Sequence, residues 1–128
     1  MKKAYLNTLY RAIVSGEPVD IRIGKHHDRL DRLLEGRPWA FISACNPGSV
    51  LSEDNAVRQA RLIGMLDSLG YPHHPGTGIP LEGDWPPEMS LIVTGIGENE
   101  AIDIGRKFGQ NAIVCGEGGE KARLVWIS

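Results

Sequence analysis

The chain has 128 residues and a formal net charge of −2, with 41% hydrophobic and 23% charged residues. That length suits one core rather than two, and that composition folds rather than staying disordered. A pI near 6.1 argues against a bulk electrostatic binder of nucleic acid, and 16 glycines with 8 prolines exclude a helical bundle.

Residues 4–14 carry two patterns. Tyr5, Leu6, Leu9, Tyr10 and Ile13 fit helical spacing, while Tyr10 to Val14 also reads as a strand pairing with 19–23 across Ser15-Gly16-Glu17-Pro18. Val19 to Ile23 alternates apolar and polar, the mark of a strand with one wet face. A short helix follows over 28–34, closed by Gly36 and Pro38. Residues 39–44 are apolar on both faces and predict a buried central strand, which ends in the turn chemistry of Cys45-Asn46-Pro47-Gly48-Ser49. The next helix is expected over 52–69, with Ser52 as N-cap, Glu53 and Asp54 in its first turn, and Gly70 then Pro72 as its stop. Residues 71–88 hold five prolines and three glycines and read as one long loop, stiff and aromatic-bearing, of the length that is functional when ordered. Two more buried strands, 90–94 and 111–115, flank a helix over 99–108 whose packed face includes Gly105, a sign of close approach to the sheet. A last strand covers 122–127.

Strands separated by helical patterns of 10–15 residues indicate β-α-β units. The expectation is therefore an α/β fold: a three-layer α/β sandwich with a mixed, mainly parallel sheet, formed by 1–128 as a single domain, with 19–23 and 122–127 as antiparallel edges. Ligands of such sheets sit outside the carboxyl ends of the strands. Here those ends carry Asn46 to Ser49, Gly95-Ile96-Gly97 and Gly116-Glu117-Gly118-Gly119, where glycine leaves backbone N–H groups open to a ligand.

Within that frame Asn55 falls on the apolar arc of its helix and needs a polar partner. Asn46 is close enough in the chain to be that partner over the sheet end. Glu88, between Trp85-Pro86-Pro87 and the strand at Ser90, is the best placed acid, suited to proton exchange if burial raises its pKa. Trp85 offers a stacking surface, and Gly48 and Ser49 offer backbone contacts. Gln110 depends on topology. With 90–94 and 111–115 parallel it lies at the opposite sheet end from Asn46; with one of them antiparallel it joins Asn46, Asn55 and Glu88.

The remaining signals are negative. Cys45 and Cys115 each follow an apolar run and read as buried thiols of a reducing compartment. The pairs His26-His27 and His73-His74 cannot readily chelate one metal from one face, so neither metal nor cofactor is expected. No apolar stretch of signal-peptide or membrane-spanning length occurs, which points to a soluble cytoplasmic protein. Residues 1–37 carry eight Lys/Arg against five Asp/Glu, and 38–128 six against eleven, an asymmetry of the size that solvated faces produce.

Phe41-Ile42-Ser43-Ala44-Cys45-Asn46-Pro47-Gly48-Ser49, then Asn55, then Trp85-Pro86-Pro87-Glu88-Met89-Ser90, then Phe108-Gly109-Gln110-Asn111-Ala112-Ile113 resemble the spaced signature of a bacterial family known as domain of unknown function 3293. The resemblance spans roughly residues 5–126. It implies a small cytoplasmic protein and brings no activity with it. Two positions depart from the family pattern: Cys45, where an aromatic is common, and Pro87, an addition to what usually reads Trp-Pro-Glu. The order of elements is also loosely similar to that of nucleoside deoxyribosyltransferase-like folds, which implies a nucleotide-like ligand by analogy alone. Together these lead to two expectations. The first is a small polar, nucleotide-like metabolite bound under the 71–88 loop by Asn46, Gly48, Ser49, Asn55, Trp85 and Gln110, with Glu88 as acid/base. The alternative is a non-catalytic module docking a protein partner through the Pro-rich loop and the edge strand.

Overall fold

The structure, a computed structural model, describes residues 2–127. The chain opens with a short helix α1 (Lys2–Leu6) and then a hairpin, β1 (Thr8–Val14) and β2 (Glu17–Ile21). Both patterns seen in residues 4–14 are thus used, one after the other. Ser15 and Gly16 have φ of 53° and 78°, the left-handed pair that a two-residue hairpin turn needs to match strand twist. There follow α2 (Asp28–Leu33), β3 (Trp39–Ile42), a 3-10 turn at Pro47–Ser49, α3 (Asn55–Leu69), β4 (His73–Pro80), β5 (Glu88–Thr94), α4 (Glu98–Lys107), β6 (Ala112–Gly116) and β7 (Arg123–Trp126). Helix α3 starts three residues later than expected, with Asp54 rather than Ser52 at the N-cap. Its end is as expected: Gly70 has φ of 80° and the Tyr71 N–H returns to Leu66 O at 3.0 Å.

All seven strands form one sheet in the order β2-β1-β4-β5-β3-β6-β7, and every neighbouring pair is antiparallel. The sheet curls into a half-barrel. The mainly parallel three-layer α/β sandwich is therefore incorrect, and the reason is specific. Helix α3 does join two strands of the same direction, β3 and β4, but β5 is inserted between them. Helix α4 joins β5 and β6, again co-directional, with β3 inserted between them. These are two interleaved split β-α-β units. The hydrophobic pattern reports which strands a helix connects, not which strand slips between them. The likeness in element order to nucleoside deoxyribosyltransferase-like folds, which supposed a parallel sheet, falls with it. The edge strands, β2 and β7, are antiparallel as expected.

The second correction is β4. Half of the expected 71–88 loop is an interior strand, paired to β1 on one side and β5 on the other. Proline normally argues against an interior strand because it cannot donate to the ladder. Here Pro75 lies beyond the last β1–β4 pair, Ala12 with Gly76. Pro80 lies beyond the last β4–β5 pair, Gly78 with Glu88. Each proline therefore sits where only one neighbour pairs.

The two faces of the sheet carry separate cores. On the convex side Leu62 and Leu66 of α3 and Ala101, Ile104 and Phe108 on or next to α4 pack on Ala40, Ile42, Leu91, Val93 and Ile113. On the concave side Leu30 and Leu34, on and just after α2, pack with Tyr10, Val14, Ile21, Trp39, Phe41, Ile92 and Val114. Tight curl is made possible where aromatic rings lie on glycines. A Cβ on Gly116 would stand 2.5 Å from the Trp39 ring, and one on Gly76 2.6 Å from the Phe41 ring. Gly105 makes the close approach its sequence position implied, against Ile127 and Ile113.

The edges β2 and β7 do not pair along their length, yet they are stitched. The Gly24 N–H donates to Ala122 O at 2.7 Å, and the Ala122 N–H to Lys25 O at 3.0 Å. The ring of Tyr5, on α1, meets that of Trp126, on β7, edge-to-face at 5.5 Å.

Two glycine substitutions should act in opposite directions. Gly64 is exposed within α3 with open space where a Cβ would go, so Gly64→Ala should raise stability by about 0.5–1 kcal/mol. Gly116→Ala should lower it by about 1–3 kcal/mol through collision with Trp39. Urea unfolding midpoints of the two variants against the parent check both signs.

Candidate functional site

A cavity of about 720 Å³ opens on the concave face, within the range of small-molecule sites. Its floor is the inward side of the sheet: Tyr10, Gly78, Phe41, Ser43, Ser90 and Val114. The Tyr10 and Phe41 rings meet edge-to-face at 5.3 Å. Its cover is α1, through Lys3, Ala4 and Tyr5, and the segment after β4, through Glu82, Gly83, Trp85 and Pro86. Trp85 remains 40% exposed at the rim. Much of the wall is apolar, with Ser43, Asn46, Ser49, Glu88 and Gln110 gathered at one end and Lys3, Asn7, Thr8 and Glu82 also lining it.

That end is assembled by the reversal of β3. Because β3 runs against both β5 and β6, its exit brings Ser43 and Asn46 to the starts of the other two, where Glu88 and Gln110 lie. Ser43 Oγ is 2.7 Å from Glu88 Oε1 and 2.9 Å from Met89 O, and accepts the Cys45 N–H at 3.0 Å. The Asn46 side-chain amide donates to Glu88 Oε2 at 3.4 Å. Tyr5 and Ser49 both line the cavity, and Ser49 Oγ accepts from Asn111 Nδ2 at 2.8 Å. Burial pushes the Glu88 carboxyl above its ordinary value, against the pull of the Ser43 and Asn46 hydrogen bonds. Burial likewise raises the phenols of Tyr5 and Tyr10.

Asn55 and Asn46 meet as their positions implied, and the geometry assigns them different tasks. Asn46 stands in the left-handed region at φ 49°. Its backbone N–H donates to Asn55 Oδ1 at 2.9 Å, and its Oδ1 accepts from Asn55 Nδ2 at 2.8 Å and from the Ser52 N–H at 3.0 Å. Asn46 lines the cavity; Asn55 does not, and acts from behind by fixing Asn46. Gln110 reaches the same end although β5 and β6 are co-directional, because the intervening β3 is the reversed strand. Its Nε2 donates to Cys45 O at 2.9 Å and Phe108 O at 3.3 Å. Arg58 braces the same two segments, with Nε on Ala44 O and Nη2 on Phe108 O, both at 2.6 Å.

Of the expected contact residues, Asn46, Ser49, Trp85, Glu88 and Gln110 line the cavity, while Gly48 and Asn55 do not. The Gly48 N–H is spent on Gly109 O at 2.8 Å, so it is not open to a ligand. The location also changes. The cavity mouth is not a row of strand carboxyl ends, since in an antiparallel sheet starts and exits alternate. The turns after β5 and β6, at Gly95 to Gly97 and Gly116 to Gly119, contribute nothing to its wall. Sequence reasoning missed Ser43, Tyr5, Tyr10, Phe41 and Ser90. Ser43 had a signal, being the polar residue in a run that is otherwise apolar and two positions after Phe41. Tyr5 had none, because its place depends on α1 folding back across the sheet. Cys45 and Cys115 are free and buried, and burial pushes the Cys115 thiol up to about 12. Among the described residues no group of three or more His, Cys, Asp or Glu is arranged to hold a metal ion. No helix among them is long and apolar enough to cross a membrane.

Two measurements test this arrangement. Asn55→Ala strands the buried Asn46 N–H and should cost about 1–3 kcal/mol of unfolding free energy, read by chemical denaturation. For Glu88, a folded pKa raised above the unfolded one means a contribution that is complete below the ordinary carboxyl range. It is lost as pH rises through the folded value. The difference in stability between Glu88→Gln and the parent should therefore move in favour of the variant as pH climbs through that window. Parallel stability–pH curves would contradict the burial of this carboxyl.

No curated protein and no solved structure matches the chain. One family matches residues 42–113, a span running from the last residue of β3 to the second of β6. That span holds the Asn46 turn, α3, the Trp85 segment, Glu88 and the Gln110 loop, and so takes in most of the cavity lining, leaving out the part from residues 3–10 with Phe41 and Val114. It covers more than half of the chain, and the protein accordingly belongs to the family described as "Protein of unknown function (DUF3293)".

Proposed function

We propose that the concave cavity binds a small polar, nucleotide-like metabolite. One observation carries the reading: a half-buried carboxylate, Glu88, stands with neutral donors in a cavity that also presents the rings of Tyr10, Phe41 and Trp85. Such a site rewards a ligand with a planar ring at one end and hydrogen-bonding groups at the other. Phe41, Tyr10 and Trp85 supply ring faces. Glu88, Asn46, Ser43, Tyr5 and Ser49 supply orientation. Gln110 and Asn55 hold the loops from which these groups project. No histidine or cysteine is among the described residues lining the cavity, so the chemistry on offer is proton exchange at Glu88 or hydroxyl acceptance by it, not nucleophilic attack assisted by imidazole.

The alternative, a protein-docking module, keeps less support than its sequence basis implied. Residues 73–80 of the Pro-rich segment are an interior strand and present no free edge to a partner.

A thermal-shift screen of the intact chain against nucleosides, nucleotides and sugar phosphates tests the reading. A ligand of the folded state stabilises by RT ln(1 + [L]/Kd), about 2.7 kcal/mol at 100 times Kd. At least one compound should raise the Tm, and Trp85→Ala should remove that rise while leaving the unliganded Tm unchanged. A silent screen refutes the reading.

A further inference from the structure

The turn leaving β3 has the residue types of an anion-binding loop, Asn-Pro-Gly-Ser followed by a helix. Its backbone donors are nevertheless consumed within the protein. The Cys45 N–H is held by Ser43 Oγ, Asn46 by Asn55 Oδ1, Gly48 by Gly109 O, Ser49 by Asn46 O, Val50 by Pro47 O and Ser52 by Asn46 Oδ1. A phosphate placed here meets no cluster of open N–H groups of the kind that anion sites use.

Cations are equally scarce. Lys3 is the one Lys or Arg among the described residues lining the cavity, and it is set against Glu82 and Glu88. The arginines on neighbouring segments do not line the cavity: Arg58 holds Ala44 O and Phe108 O at 2.6 Å, and Arg22 holds Leu6 O at 2.9 Å through Nη2 while its buried Nε is left without a partner. Glu88, by contrast, is under-supplied with donors. A carboxylate offers about four acceptor positions, and here Ser43 approaches one oxygen and Asn46 the other.

Resting on the binding reading above, we propose that the cavity takes an unphosphorylated nucleoside, with its hydroxyl, amino or ring N–H donors on Glu88, and discriminates against the corresponding 5′-phosphate. The physical basis is a like-charge penalty: a phosphate dianion near a carboxylate, with no bidentate arginine and no amide cluster, is repelled. The neutral sugar or base edge completes the acceptors that the protein leaves open.

The test is titration calorimetry of the intact chain with adenosine, guanosine, cytidine and uridine and with their four 5′-monophosphates at physiological salt. At least one nucleoside should bind, and its monophosphate should bind about tenfold more weakly or worse. Glu88→Gln, checked for folding by circular dichroism, should weaken the nucleoside and narrow the gap to the monophosphate, because the repelling charge is gone. The parent panel decides the matter even if that variant does not fold. A monophosphate that binds as tightly as its nucleoside overturns the proposal and leaves the binding reading standing. If none of the eight compounds binds while another metabolite of the thermal-shift screen does, the proposal alone fails. If that screen is silent as well, both fail.

Discussion

The amide pair between Asn46 and Asn55 turns the chain at the end of β3, and the polar end of the cavity depends on it. A left-handed asparagine is tolerable when its side chain bonds locally. Here Asn55 takes the Asn46 N–H and returns its own Nδ2, so the turn is held from both sides. From this point the rest follows by contact. The turn places Asn46 against Glu88, the Gly48 N–H on Gly109 O, and Cys45 O under Gln110. Arg58, one helical turn after Asn55, spans the gap between the same two segments. Four stretches of sequence, 41–49, 55, 85–90 and 108–113, are thus one assembly in space. Their spacing as motifs is the trace of a single cluster of hydrogen bonds.

The cavity itself is a by-product of curvature. Aromatic side chains on the inward face need a partner surface, and glycines across the sheet provide it: Trp39 over Gly116, Phe41 over Gly76. Each such pair lets the sheet bend toward the ring. On part of that inward face the hollow is filled by Leu30 and Leu34. Elsewhere it is left open beneath α1 and Trp85. Position along the sheet, rather than any special residue, separates core from pocket.

Much of the local structure was legible in the sequence. Strands, helices and their ends fell close to the expected positions because capping, turn chemistry and periodicity are local effects. So was the meeting of Asn46 with Asn55, since a polar amide on an apolar stripe demands a partner. Sheet direction was not legible. Insertion of β5 between β3 and β4, and of β3 between β5 and β6, leaves no mark on the period of any segment. Strand β4 was hidden for a different reason. Proline and glycine report a loop when both sides of a strand must be paired, and the sequence does not reveal that Pro75 and Pro80 each escape one side. Asn46, Trp85 and Glu88 were legible as one group; Ser43 was not, and whether Gln110 joins them turns on the direction of β3, which leaves no local mark.

The stitches between the two edges of the sheet bear on how the molecule acquires its shape in time. Besides the Gly24–Ala122–Lys25 hydrogen bonds, the Gly119 N–H reaches Asp31 Oδ2 across 88 residues of chain. Pairings this distant are slow to form, since loop entropy is lost before contact energy is gained. The hairpin β1–β2, joined by two residues, is a microsecond event on the scale of such motifs. Joining that hairpin to the β6–β7 pair links segments about a hundred residues apart, a far more costly closure. A growing chain cannot make any of these stitches until residues 119–122 have emerged.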